Sequence, residues 1–148
     1  AYQRMALEPG EFVERVIVPA RRPGLAFAAY KISKRFDQDI SAVCAAFALE
    51  LDGSRIRSAR VAFGGMAATP KRALTCERAL AGRHWTDATC AAAVAALPRD
   101  YAPIADMRAS AEYRLRVAQN LLRKFHWETA GALGGAPSRL YTLDGVPA

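Results

Sequence analysis

The side chains that most often catalyse reactions or bind metal ions are sparse in this sequence. Two histidines, His84 and His126, lie 42 residues apart and form no HxxxH or HExxH pair, the spacings that suit zinc on one helix face. The cysteines Cys44, Cys76 and Cys90 lack the CxxC spacing of zinc or iron–sulfur ligands. We predict no metal site, and we expect buried free thiols of a reducing compartment.

Activated nucleophiles and phosphate-binding loops are also missing. There is no GxSxG motif, and no thiol or hydroxyl has a nearby His or carboxylate in sequence that would activate it. The pairs Gly64-Gly65 and Gly134-Gly135 match neither GxGxxG nor GxxxxGK[ST], and a tight chain reversal explains the first pair. We predict no catalytic residue here, and a bound dinucleotide would take its phosphate cradle from elsewhere.

Net charge is the first candidate clue to a partner. The 148 residues carry 21 Lys+Arg against 14 Asp+Glu, for a formal net charge of +7. The cations are mostly arginines scattered along the chain, without a zinc finger, an RNA-binding motif or a Lys-rich tail. We therefore predict no nucleic-acid partner, and a stand-alone basic interaction or assembly module without catalytic activity is the alternative function.

Composition limits the class of protein further. With 52% hydrophobic and 24% charged residues, the chain has the composition of one folded domain, and intrinsic disorder is excluded. Its apolar runs fall far below the roughly 18 residues that span a bilayer, and no secretion signal opens it. We expect a cytoplasmic protein without a membrane partner. Because the chain starts without Met, we interpret it as a piece of a longer polypeptide.

The first half of the chain has the residue patterns of β-strands. A β-branched run within residues 11–19 and the segment 25–34 each predict a strand between Pro-Gly pairs. In the second strand, Lys31 shares a face with Phe27 and Ala29. Residues 43–51 and 56–63 flank Asp52-Gly53 and predict an antiparallel hairpin, with small residues on one face that leave room for a helix or a second chain.

Helices are expected in the second half. The cap signals predict a helix at residues 70–81 followed by Gly82, and a second helix from Thr86-Asp87 that ends at Pro98. The longest begins at Asp106 or Ser110 and ends near residue 130, with an apolar stripe opposite a basic face. The stripe comprises Tyr113, Val117, Leu121 and Phe125, and the basic face comprises Arg114, Arg116, Arg123 and Lys124.

Strands followed by helices predict an α+β fold, an antiparallel sheet of three to four strands covered by about three helices. Four collinear segments then resemble the C-terminal domain of the FAD-binding portion of the xanthine dehydrogenase and carbon monoxide dehydrogenase flavoprotein family, most of all bacterial xanthine dehydrogenase small subunits. They are LEPGE with VIVP at residues 7–19, YKISKRFDQDISAV at 30–43, AFGGMAATPKRA at 62–73 and DMRASAEYR at 106–114. The resemblance implies this domain at residues 1–130, followed by a flexible tail at 131–148.

The resemblance also implies a function. It implies a fragment of an enzyme in which electrons from xanthine or hypoxanthine oxidation pass through FAD to NAD. FAD would be shared with an upstream FAD-binding domain that is absent from this sequence, and the partners would include that domain and an iron–sulfur domain. A [2Fe–2S] portion and a molybdopterin-binding large subunit would belong to the complete enzyme, and the isolated fragment would be inactive.

Two positions here match flavin contacts of that family. They are Val13 on the first predicted strand and Lys31 on the second, where a cation would stabilise an anionic reduced ring. The loop at residues 34–39 matches a loop beside the flavin in mammalian relatives, but Phe36 stands where those relatives have an arginine. Asp106, Arg108, Ser110 and Tyr113 are expected to cap and anchor the long helix rather than bind a ligand.

Overall fold

A computed structural model describes residues 5–20, 22–35 and 37–130. Four strands form one antiparallel sheet in the order β1-β2-β3-β4, and three helices pack against it. The elements are β1 (Leu25–Ile32), β2 (Val43–Asp52), β3 (Arg55–Gly64), β4 (Lys71–Arg72), α1 (Leu74–Leu80), α2 (Asp87–Asp100) and α3 (Ala111–Thr129). The predicted α+β fold is confirmed. Residues 131–148, where we expect a tail, and Phe36 lie outside the described residues.

The β2–β3 hairpin forms where the sequence predicts it. Asp52 pairs with Arg55, so Gly53 and Ser54 make the two-residue turn, and Gly53 has a φ of +56° that favours glycine. Because side chains alternate along a strand, the large residues of β2 all point to one face. Phe47 on that face is fully buried.

The core lies between this face of the sheet and the helices. Phe47 stacks on Phe125 of α3 with ring centroids 5.1 Å apart, and it meets Phe63 of β3 edge-on at 5.6 Å. Phe63 in turn meets Tyr101, just after α2, at 5.6 Å. These rings bury large apolar areas and join β2, β3, α2 and α3 into one core.

Helix α1 is shorter than the sequence predicts. Residues 70–73 are not helical, because Lys71 and Arg72 pair with β3 as strand β4. The helix has no side-chain cap of its own, and the Asp100 carboxylate accepts hydrogen bonds from the N–H groups of Thr75 and Cys76 at 2.8 and 2.9 Å. The predicted end is confirmed, since Gly82 follows with a φ of +76°.

Helix α2 begins as predicted, and its predicted end is wrong. The Thr86 hydroxyl accepts from the Thr89 N–H at its start, but Pro98 lies inside the helix, which continues to Asp100. Proline lacks the N–H that would reach the Val94 carbonyl. That carbonyl instead accepts from the Gln119 side chain of α3 at 3.4 Å, so its hydrogen bond is supplied from the neighbouring helix.

Helix α3 confirms Ser110 as its N-cap, since its hydroxyl accepts from the Tyr113 N–H at 3.1 Å. The predicted apolar stripe holds for Leu121 and Phe125, which are buried, whereas Tyr113 is half exposed. The predicted basic face is wrong at Arg114, which is buried. A helical pattern cannot show that backbone carbonyls distant in sequence accept hydrogen bonds from this arginine.

The strand predicted within residues 11–19 does not form. The structure assigns no helix or strand to residues 11–20. A strand needs a neighbour for its backbone hydrogen bonds, and none of the described strands pairs with this segment. Val16, Ile17 and Val18 are each at least 80% exposed. The β-branched run is therefore exposed and is not paired with any described strand.

Candidate functional site

The face of the sheet opposite the helices is lined by small side chains. Cys44, Ala46 and Ala48 of β2 point to it, and Ala46 lies in register with Ala29 of β1 and Ala62 of β3. No described helix covers this face, so we call it the open face. Around Ala46 the side chains of this floor end at Cβ, which confirms the space that the β2 pattern predicts for a close neighbour.

Lys31 lies at one end of this floor. It pairs with Cys44 across β1 and β2, and Cys44 pairs in turn with Gly64 of β3. Gly64 has no side chain. This row across the three strands therefore carries the long Lys31 side chain, then the Cys44 thiol, and no side chain on β3. Lys31 is exposed and forms no ion pair with any described residue. Its predicted position on the face of Phe27 and Ala29 is confirmed.

A groove of about 1120 Å³ lies over the other end of the floor. It runs between residues 18–20 and the sheet, with Ala46, Ala48 and Ala62 beneath it. Four arginines also line it, of which Arg57 pairs with Asp52 and Arg72 with Glu77, each at 2.6 Å. Among the described residues the other two, Arg22 and Arg60, have no carboxylate partner. The open face therefore combines an apolar floor with a basic rim.

Val13, the other residue implied to contact flavin, is not placed beside Lys31 by any pairing. It lies in the unpaired segment and is 65% exposed. Lys31 is held by the β1–β2 ladder, whereas no described strand or hydrogen bond fixes the position of Val13. The structure therefore brings only one of the two residues onto the ordered open face.

Arg114 is the residue that sequence reasoning missed. Its Nη1 donates to the carbonyls of Ala42 at 2.5 Å and Gly65 at 2.7 Å, and its Nη2 donates to Asp106 at 2.5 Å. Ala42 N–H donates to Ile32 at the end of β1, directly after Lys31. The guanidinium thus ties α3 to the ends of β1 and β3. In the sequence, Arg114 is an arginine four residues after the N-cap of the helix. That position alone does not distinguish a buried arginine from an exposed one.

Gly65 makes this contact possible. Its φ is +78°, and a Cβ there would come within 2.3 Å of the Ala42 carbonyl oxygen and 3.1 Å of Arg114 Nη1. Only glycine allows the chain after β3 to approach so closely. The glycine pair is therefore used for a chain reversal, as the sequence predicts.

Asp106 anchors the start of α3. Its carboxylate accepts from the backbone N–H groups of Arg108 and Ala109 and pairs with the side chains of Arg108 and Arg114. The Arg108 N–H hydrogen bond is the largest influence, opposed by partial burial and supported by Arg114, and the pKa of Asp106 falls to about 2. This confirms the anchoring role predicted for Asp106 and Arg108.

The loop after β1 is tied to the same region. Lys34 Nζ donates to the Met107 carbonyl at 2.6 Å, which joins the loop to the turn before α3. The Asp39 carboxylate accepts from the Arg35 N–H at 2.9 Å, and this hydrogen bond lowers the pKa of Asp39. The loop therefore lies beside the Lys31 end of the open face.

The three thiols differ from one another. Cys76 and Cys90 are buried as predicted, and desolvation raises their pKa values to about 12 and about 11. Cys44 is exposed on the open face, so its predicted burial is wrong. Alternation along β2 places the Cys44 side chain on the open face. Its Ala-rich neighbours in sequence do not indicate which of the two faces is buried. All three are free.

Neither histidine belongs to a metal site among the described residues, where no cluster of His, Cys, Asp and Glu could hold an ion. His84 Nδ1 is 2.8 Å from the Ser54 hydroxyl on the surface. His126 is buried edge-on to Trp85 at 4.5 Å, with Nδ1 3.5 Å from Asp87. Over the described part of the chain, no helix has both the length and the apolar character required to cross a membrane.

Comparison with known proteins identifies the class. The family model described as CO dehydrogenase flavoprotein C-terminal domain matches residues 28–129. The chain therefore belongs to this family, the C-terminal domain of FAD-binding subunits. The match covers β1 from residue 28, the other three strands, the three helices and Lys31.

Particular relatives come from the same group of enzymes. The chain is 37% identical to the xanthine dehydrogenase of Emericella nidulans over 103 residues, 68% of this chain and 8% of that protein. It is 31% identical to the xanthine dehydrogenase FAD-binding subunit of Escherichia coli O157:H7 over 117 residues, 79% of this chain and 40% of that subunit. The chain thus spans well under half of either relative.

A solved structure shows the same fold. The carbon monoxide dehydrogenase of Hydrogenophaga pseudoflava, in a form that lacks the Mo-pyranopterin moiety of its cofactor, aligns with a TM-score of 0.66 at 27% identity. The alignment covers 72% of this chain and 37% of that one. The sequence and structure comparisons therefore agree on the domain family, the C-terminal domain of CO dehydrogenase flavoproteins.

Proposed function

We propose that this chain forms one wall of the FAD site in a xanthine dehydrogenase, with Lys31 as the cation beside the flavin. The observation that carries the proposal is the position of Lys31 on the open face, next to Cys44 and Gly64. Low side chains let a flat ring approach the sheet closely, and Lys31 is exposed and without a described ion pair. These residues fit the ring portion of a flavin.

The residues fit only that portion. The Gly64-Gly65 pair makes a chain reversal that packs against Ala42 rather than a phosphate loop. The pyrophosphate would therefore be held outside this chain. We expect the isolated chain to bind FAD weakly or not at all and to be inactive. A stoichiometric flavin spectrum on the purified chain would contradict this expectation.

When bound, FAD supplies hydride chemistry and links one-electron to two-electron carriers. Lys31 would hold a positive charge at the edge of the site, and Val13 would add an apolar contact. Arg114 and Asp106 would keep the end of β1 in place, since Arg114 bonds Ala42 and Ala42 bonds Ile32. The chain itself would position and tune the ring and would transfer no proton.

In this proposal the complete enzyme oxidises a purine such as xanthine or hypoxanthine and passes the electrons to NAD. Support comes from relatives named xanthine dehydrogenase at 37% and 31% identity. The partners would be upstream FAD-binding and [2Fe–2S] domains and a molybdopterin-binding large subunit in the cytoplasm. The basic rim and the small-residue floor suit the close docking of such neighbours.

The test is the flavin potential of the full-length subunit that contains this chain. Lys31→Ala removes a cation that favours the anionic reduced ring, so we expect the two-electron potential to fall by roughly 30 mV, the equivalent of a tenfold change in equilibrium. Lys31→Arg retains the charge and should retain most of the potential. Spectroelectrochemical titration measures the change, and the iron–sulfur signals should stay the same.

The matched control is Arg116→Ala. Arg116 is an exposed cation on α3, away from the sheet, and its side chain pairs only with Glu112 among the described residues. Its removal changes the net charge by the same amount and should leave the flavin potential within error. If Lys31→Ala leaves the potential and the rate of NAD reduction unchanged, Lys31 is not a flavin-side cation.

A further inference from the structure

The segment before β1 exposes more apolar surface than a folded protein usually tolerates in one run. Phe12, Val13, Val16, Ile17 and Val18 are between 65% and 82% exposed. They lie within seven consecutive residues that no described strand pairs with. Glu14 and Arg15 interrupt the run and pair with each other at 2.7 Å. Exposed apolar residues clustered in this way mark an interaction surface.

The pattern of the run indicates how a partner would cover it. In extended backbone, Phe12, Val16 and Val18 point to one side, and Val13 and Ile17 point to the other. A groove-binding peptide needs only one apolar side, whereas a strand inside a sheet is buried on both. Pro9-Gly10 and Pro19 bound the run, and proline at its end stops further pairing.

The rest of the described chain does not supply that cover. Helices and sheet bury their own apolar face, and the open face carries small residues and arginines. Only the end of the segment, at Val18, lines the groove over the sheet. The bacterial relatives, by contrast, are more than twice as long as the matched region, since it covers 40% of one and 37% of another.

We propose that residues 12–18 are a β-strand contributed to a sheet in the remainder of the flavoprotein subunit. The backbone of the run would add to an exposed sheet edge there, and its five apolar side chains would be buried on both sides. This inference rests on the proposed function, because it takes the chain to be part of that subunit. If residues 12–18 pair as a strand, Val13 would also gain a fixed position relative to Lys31.

The experiment compares Ile17→Asp with Ile104→Asp, two exposed isoleucines that are 81% and 70% exposed. In the isolated chain both variants should leave the melting temperature within about 1 °C, because neither side chain packs in this chain. In the full-length subunit Ile17→Asp should lower the melting temperature by roughly 5 °C or more. Ile104→Asp should leave the melting temperature of the subunit unchanged. The conservative variant Ile17→Val should keep it close to that of the wild type.

Amide hydrogen exchange gives a second readout that needs no variant. The N–H groups of residues 13–18 should exchange freely in the isolated chain, and in the full-length subunit the alternate N–H groups that face the neighbouring strand should be protected at least tenfold. Equal exchange in the two proteins would overturn the inference. So would a full-length subunit unaffected by Ile17→Asp, or one equally destabilised by Ile104→Asp.

Two further outcomes would show that residues 12–18 pack against something else, and either would overturn the inference. A melting temperature that falls in the isolated Ile17→Asp chain would show packing within this chain. A dimer of the isolated chain that Ile17→Asp dissociates would show pairing with a second copy. The potential of the Lys31 variants is measured separately, so a failed flavin role and a failed strand are distinguishable.

Discussion

The two faces of the sheet share one backbone but differ in the size, burial and charge of their side chains. On the face beneath the helices, β2 presents Phe47 and Leu49, which are fully buried. On the open face the same strand presents Ala46 and Ala48, which alternate with Phe47 and Leu49 and lie beneath a groove lined by arginines. One strand therefore supplies both the core and a flat external surface.

The difference shows a division of labour. Side chains on the helix face are fixed by rings and buried hydrogen bonds, so they decide whether the chain folds. Side chains on the open face touch little within the chain, so substitutions there should act on partners rather than on folding. The predictions below test this division, in order of decreasing effect.

The largest effect is expected at Phe47. Phe47→Ala removes a ring that contacts Phe125 and Phe63 and leaves a cavity, which should lower the free energy of unfolding by about 4 kcal/mol. Urea unfolding of the isolated chain measures it. Phe27→Ala, on the open face and 55% exposed, should cost less than about 1 kcal/mol. Equal losses would contradict the division between the faces.

Arg114 tests the buried polar side of the helix face. Arg114→Met leaves Asp106 and the carbonyls of Ala42 and Gly65 without their shared donor, and it should cost about 3 kcal/mol in urea unfolding. Arg116→Ala, an exposed change on the same helix, should fall within about 0.5 kcal/mol of wild type. The interpretation of Arg114 as an anchor would fail if the two variants were equally stable.

Acid should weaken the same anchor. The pKa of Asp106 is about 2 in the folded chain, below its ordinary 3.8, so the ionised carboxylate stabilises the fold above about pH 4. That contribution is lost as the pH falls from 4 towards 2. The wild type should therefore lose stability more steeply over this range than Asp106→Asn. Urea midpoints at several pH values measure the slopes, and parallel curves would contradict the assignment.

The smallest effect concerns thiol reactivity and leaves stability unchanged. Cys44 is exposed on the open face, while burial raises the pKa values of Cys76 and Cys90 to about 12 and about 11. A disulfide reagent at pH 8 should therefore modify one thiol quickly in the folded chain and three after unfolding. Cys44→Ala should abolish the fast phase. Rapid modification of two or more thiols would show that the helix face opens easily.

Much of the fold could be predicted because it depends on local patterns. The alternation in β2 and the Asp52-Gly53 signal define the hairpin, and Ser110 defines the start of α3. Pro98 was misleading because its missing hydrogen bond is replaced by Gln119 from another helix. Arg114 could not be found because its carbonyl partners lie 72 and 49 residues away in sequence.

The candidate site could be predicted only in part. Strand alternation places Lys31 on the face of Phe27 and Ala29, but its relation to a flavin came from a family resemblance and stays a prediction. Val13 shows the limit of the same reasoning. Its β-branched context predicts a strand, yet a strand forms only where a second strand completes its hydrogen bonds, and the sequence of one segment does not contain that neighbour.

The Asp100 carboxylate makes α1 dependent on α2. A helix of seven residues is too short to be stable alone, and its first N–H groups are bonded by a side chain from the last turn of α2. Unwinding that turn withdraws the carboxylate and exposes both amides together. The two helices should therefore open as one cooperative unit, and this corner of the domain gains or loses its order in a single step.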